Sequence, residues 1–337
     1  MGNSCISKAN PKKVNSIKSN PCNSLKDIDL QTNIECIFFD NNLVINWEAK
    51  RRTEKYHWWP MREINKDDYV NNLYAKGGGL NKYDILFDTK SIEYQKNKYY
   101  RHRDSIERDA KWAGFCNNSS ILSCLYEYPK YEVCVNYKNK DMVFNTRDIE
   151  ALMIVCSNNA IKENISLFFG NRNNDFENDD INEPYPSEFL QMLEILCIQE
   201  EAFIMDIDMN SSVWNYAYDK VEVSKHSECD IECIIPNEGK TEFYNFKIYS
   251  NAYPKHNQDL WGYINTRIEN NGYGTEESII IREEWISPNH PDFLWKKFKK
   301  NTIWEGVSDI NPEIYSSTVY KIYLQSLNNK NIKLILN

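Results

Sequence analysis

The chain has 337 residues, 41% of them hydrophobic, with 22 Tyr, 14 Phe and 9 Trp against only 11 Gly and 11 Pro. That length and aromatic content suffice for a sizeable core, in one large domain or two ordinary ones, and exclude a collagen-like or low-complexity chain. The net charge of −9 comes with no concentrated basic face; "KKFKK" (296–300) is short and reads as a solvated stretch, so nucleic acid is not an expected partner.

Residues 1–33, rich in Asn, Ser, Lys and Pro, read as a flexible tail ahead of a single folded domain over 34–337. The tail has no apolar run of the kind a signal peptide needs, and no stretch of about 18 apolar residues predicts a membrane span. It does begin "MGNSCISKANPKK". Gly2 follows the initiator Met, Cys5 is close by, and Lys8, Lys12 and Lys13 would lean on anionic lipid. Gly2 and Cys5 are therefore the candidate acylation sites, with Ile6 standing where Ser or Thr is usual and Ser7 coming one residue late. One myristoyl chain anchors only marginally, so a second acyl chain or the lysines would be required. The expected location is cytoplasmic, with peripheral membrane attachment through this end.

The first convincing apolar segment is "IECIFFDNNLVINWE" (34–48). Aromatics are dense from "RRTEKYHWWP" (51–60) onward, and "GGG" (77–79) reads as a loop before "LNKYDILF". In "DIEALMIVCSN" (148–158), Ile149, Leu152, Met153 and Cys156 recur at helical spacing, with Asp148 and Glu150 read as solvated. "FFGNRNNDFENDDINEPYP" (168–186) reads as an acidic loop, "SEFLQMLEILCIQ" (187–199) as a helix, and "AFIMDID" (202–208) as a strand. From about residue 222 the pattern alternates in "DIECIIP", "TEFYNFKIYS" and "ESIIIREEWIS", which predicts antiparallel strands. The fold class expected is α+β, helices first and sheet later. Tryptophans 58, 59, 112, 214, 285 and 295 read as core rather than as a ligand platform.

Ten cysteines are scattered along the chain without the density of a disulfide framework. Cys229 and Cys233 have no second Cys or His pair at the spacing a zinc site needs, so no metal and no cofactor are expected. One cysteine stands apart. In "RDAKWAGFCNNSSILSCL" (108–125), small residues and an aromatic precede Cys116, and a helical run follows it. A nucleophilic thiol is often presented in this way. It then requires a base, and a group to orient the base.

The motifs "YHWWP" (56–60), "NKYDILF" (81–87), "WAGFCNNSSILSCLYEYP" (112–129), "RDIEALM" (147–153), "PSEFLQMLEIL" (186–196), "AFIMDIDMNSSVWN" (202–215) and "HPDFLW" (290–295) occur in the order found in the transglutaminase elicitor family, which the chain resembles over roughly 45–296. The resemblance implies a transglutaminase or papain-like cysteine fold, with helices carrying the Cys and a later antiparallel sheet. It implies Cys116 as nucleophile and Asp206 as the orienting carboxylate, Asp208 being a weaker candidate. Gly114, Cys116 and Asn117 match the family's cysteine motif, while Asn118 and Ser119 replace its Gly and Trp. The family's histidine falls on Leu190, which cannot act as a base. His290 belongs to "HPDFLW" and reads as structural. The alternative is that His57, His102, His226 or His256 approaches Cys116 in space.

The activity implied is acyl transfer from a protein glutamine to an amine through a Cys thioester, weakened or lost at Leu190. A glutamine-containing protein is the implied partner. The alternative is a non-catalytic binding or scaffold module at a membrane surface.

Overall fold

The computed structural model describes residues 43–61, 72–99, 114–156, 165–170, 183–207, 215–229, 231–252, 255–270, 277–297, 304, 307–308, 310–328 and 333–336. The candidate acylation sites Gly2 and Cys5, together with Asp208, His102, Trp112 and Trp214, lie outside them.

The elements in chain order are β1 (Leu43–Glu48), α1 (Gly79–Phe87), α2 (Ser91–Tyr99), α3 (Cys116–Leu125), β2 (Val133–Tyr137), β3 (Lys140–Phe144), α4 (Thr146–Cys156), β4 (Ile165–Gly170), α5 (Pro186–Gln199), β5 (Phe203–Ile207), β6 (Asn215–Tyr218), β7 (Lys220–His226), β8 (Lys240–Tyr249), β9 (Gln258–Asn270), β10 (Glu277–Trp285), β11 (Pro291–Lys297), α6 (Ser316–Asn328) and β12 (Leu334–Leu336). The protein is α+β. Its strands form three sheets, ordered β1-β7-β8-β9-β10, β4-β11-β5-β6 and β12-β2-β3. All ladders are antiparallel except β12 on β2.

Two apolar clusters result. One gathers α1, α3, α4 and α6 with β2 and β3, and reaches Ile204, Phe293 and Trp295. The other places Phe189, Met192, Leu193 and Leu196 of α5 with apolar side chains of β1, β5, β7 and β8. Cys124 of α3 packs against both clusters. Helix α3 therefore sits at the seam, and the four-stranded sheet meets it there. This positions its first residue, Cys116.

The order "helices first, sheet later" needs correction. Strand β1 precedes every helix yet forms an edge of the five-stranded sheet, and α6 returns at the end to complete the first cluster. Residues 231–236 of "DIECIIP" are not a strand. They run irregularly between β7 and β8, with Ile231, Ile234 and Ile235 exposed. The acidic loop begins later than expected, since Phe168–Gly170 pair with β11. The β2–β3 hairpin turns on Lys138 and Asn139, both in the left-handed region (φ 47° and 62°), the geometry of a two-residue primed turn.

Asp148 and Glu150 are not solvated. Helix α4 is buried throughout 148–156, so its acids must find partners inside. Asp148 takes part in a reciprocal cap with Asn145: each backbone N–H donates to the other's side chain at 2.9 Å. Asp148 also pairs with Lys82 at 2.5 Å. Among the described residues no helix is long and apolar enough to cross a membrane.

Candidate active site

The site begins with an irregular segment that carries "YHWWP" against the start of α3. Pro60 and Gly114 form an antiparallel bridge, and the Phe115 N–H donates to the Trp59 carbonyl at 2.9 Å. The approach is possible only because residue 114 is glycine. A Cβ there would stand 2.0 Å from Nε1 of Trp58, inside the indole. The same segment is fastened to α4. The His57 N–H donates to Glu150 Oε1 at 2.5 Å. Glu150 also accepts from Tyr128 (2.8 Å) and from Arg147 (2.5 Å). Burial pushes the Glu150 carboxyl up, and the Arg147 guanidinium opposes that shift.

Cys116 is the first residue of α3, 9% exposed. The positive end of the helix dipole favours a thiolate there. Burial nevertheless pushes the thiol above its ordinary 9.0, with the charge of Asp206 adding to the rise. Asn215 and the Asn117 backbone pull the other way without reversing it. At neutral pH the sulfur therefore carries its proton, and an attack on carbon requires a base at the moment of reaction.

Asn215 opens β6 and is held from three directions. It is the register partner of Asp206 on β5. Its carbonyl accepts from Ser120 of α3 at 2.6 Å. Its side-chain Oδ1 accepts from the Trp295 indole at 2.7 Å, which orients the amide's donor half. Asp206 is wholly buried between β11 and β6.

A cavity of about 280 Å³ opens onto Cys116. Its lining includes both His57 and His256, with Trp58, Asn215 and Tyr216. Nδ1 of His57 lies 2.5 Å from the Trp58 carbonyl, so this nitrogen carries the proton and Nε2 is the acceptor. His256 stacks on Tyr216, ring centroids 3.6 Å apart, and burial lowers its imidazole below 6.5.

The expected nucleophile and carboxylate, Cys116 and Asp206, are thus brought together, but Leu190 is not with them. Leu190 packs against the second apolar cluster from α5 and is absent from the cavity lining. Its neighbour Phe189 sets the helix face, with its ring against Phe246 and Trp285. Motif spacing located residue 190 on a line, whereas the helix turns it toward another core. His226 meets Ser224 and Trp261, and His290 meets Glu183 and Trp285, both away from the cavity lining.

Trp59 and Trp295 are core residues as expected, while Trp58 lines the cavity. The sequence assigns Asn215 no role in the chemistry; it enters only as the last residue of "AFIMDIDMNSSVWN". No signal in its type or spacing distinguished it. Among the described residues no group of three or more His, Cys, Asp or Glu stands together as a metal site. No known protein family, no curated protein and no solved structure was found to match this chain.

Proposed function

We propose that the protein is a transglutaminase-like acyltransferase, with a papain-like division of labour between a helix-borne Cys116 and cavity imidazoles. The observation that carries this reading is a thiol at a helix N-terminus sharing one cavity with His57 and His256. His57 is the base, because the Trp58 carbonyl fixes its tautomer and Glu150 fixes its backbone. His57 Nε2 takes the thiol proton as Sγ attacks the carboxamide carbon of a glutamine side chain. The C–S bond forms, the C–N bond breaks, and ammonia leaves with the proton from the imidazolium. An amine then attacks the thioester. It loses a proton to His57, the C–S bond breaks, and that proton returns to the sulfur.

The Asn215 side-chain amide, aimed by Trp295, and the first amides of α3 are the donors for the developing oxyanion. Asp206 is not needed to orient His57, and its charge opposes thiolate formation.

A second reading, a binding module without catalysis, is favoured by the raised thiol, and the acylated tail would then deliver the cavity to a membrane surface. Incorporation of a fluorescent primary amine into a glutamine-rich protein such as casein separates the two. The acyltransferase reading expects incorporation that is lost in Cys116→Ser and falls roughly a hundredfold or more in His57→Gln. Incorporation equal to that of Cys116→Ser would overturn it in favour of binding.

A further inference from the structure

A second cavity, of about 560 Å³, lies between the C-terminal end of α1, the first turns of α6 and strand β12. It is within the usual range for small-molecule sites, roughly 300–1,000 Å³. It shares no lining residue with the Cys116 cavity. One wall is aromatic: the Phe87 and Tyr137 rings stand 5.0 Å apart at a tilt. Leu334 and Leu336 of β12 extend that wall, Leu336 being the register partner of Tyr137.

The remaining wall is polar and positive. Thr318 and Lys321 line it from the same face of α6, one turn apart. Lys321 is exposed and makes no ion pair or hydrogen bond among the described residues. Thr318 belongs to the first turn of α6, where the helix dipole favours an anion. Outside the lining, the Lys138 ammonium sits over the Tyr137 ring at 5.0 Å.

We propose that this cavity binds a small amphipathic monoanion, with its aromatic or branched aliphatic body against Phe87, Tyr137 and Leu336 and its carboxylate at Lys321 and Thr318. The body is selected by burial of apolar area, and the head by a charge-assisted hydrogen bond.

The test uses the full chain and the aromatic anion 8-anilino-1-naphthalenesulfonate, titrated by fluorescence. One saturable site is expected, weakened roughly tenfold in Lys321→Met, an exposed position where the substitution leaves the fold intact. Hexanoate or benzoate should displace the probe and hexylamine should not. Carbamidomethylation of Cys116 should leave binding unchanged. The proposal is overturned if Lys321→Met binds as well as the parent chain. Equal displacement by hexylamine, or loss of binding on alkylating Cys116, overturns it as well.

Discussion

The indole of Trp295 donates to the Oδ1 of Asn215 at 2.7 Å, and through that bond β11 decides which way an amide faces Cys116. Neither residue is charged, and neither is nucleophilic. Together they nevertheless shape the polar surroundings of a thiol that opens a helix and shares a cavity with two imidazoles.

Removing the indole donor tests this directly. Trp295→Phe keeps most of the buried ring but leaves the side-chain Oδ1 of Asn215 without its donor. Stability should fall by about 1–3 kcal/mol, the usual cost of an unsatisfied buried polar group. Urea unfolding measures the loss. Thiol reactivity at Cys116 should fall as well, because the amide is then free to rotate.

Asp206 gives a prediction of opposite sign to the one its motif suggests. Its charge raises the Cys116 thiol, so Asp206→Asn should lower that pKa and speed alkylation by iodoacetamide between about pH 7 and 9. An orienting carboxylate would behave otherwise, its loss slowing the reaction. The pH profile of labelling, read by peptide mass, decides between them.

Gly114 admits no side chain. In Gly114→Ala the new Cβ meets the Trp58 indole at 2.0–2.8 Å, and the indole must leave the cavity wall or the Pro60–Gly114 bridge must open. Overpacking of this kind costs about 1–3 kcal/mol. Acylation of Cys116 should be lost beyond what the stability change explains, because His57 travels with Trp58.

How much of this was legible beforehand can be judged from single residues. The helix start at Cys116 was, since small residues before it and a helical run after it leave a mark in the sequence. So were α4, α5 and β5, whose apolar periods are long or dense. The packing of Leu190 against the second apolar cluster is not legible, because a motif gives distance along the chain and says nothing of which core a helix face joins. Glu150 reads as solvated in the sequence because charge is normally outside. The reason it is inside, a backbone N–H of His57 needing an acceptor, is a contact between distant segments. His256 comes from the short connection between β8 and β9, and only the assembled sheets bring it to β6. "DIECIIP" alternates like a strand, but its residues 231–236 are an irregular link between β7 and β8 with no ladder partner among the described residues.

His256 also imposes a pH dependence on folding. Burial holds its pKa below 6.5, so as the pH drops beneath that value the unfolded chain takes up a proton that the folded chain refuses. This contribution is complete above 6.5 and is lost on acidification. His256→Gln should therefore lose less stability than the parent chain between about pH 7 and pH 5.5, as read from urea midpoints at the two values.

We propose that Cys116 is a nucleophile served by His57 and not by position 190. An activated ester tests it without the natural substrate. Protein mixed with p-nitrophenyl acetate should release a burst of p-nitrophenolate matching one acetyl group on Cys116, sensitive to hydroxylamine and discharged faster by a primary amine. Cys116→Ser should show no burst, His57→Gln should slow it by roughly a hundredfold or more, and Leu190→His should leave the rate unchanged. A Cys116 that stays unacylated, or a burst that ignores His57 and rises in Leu190→His, would contradict the account.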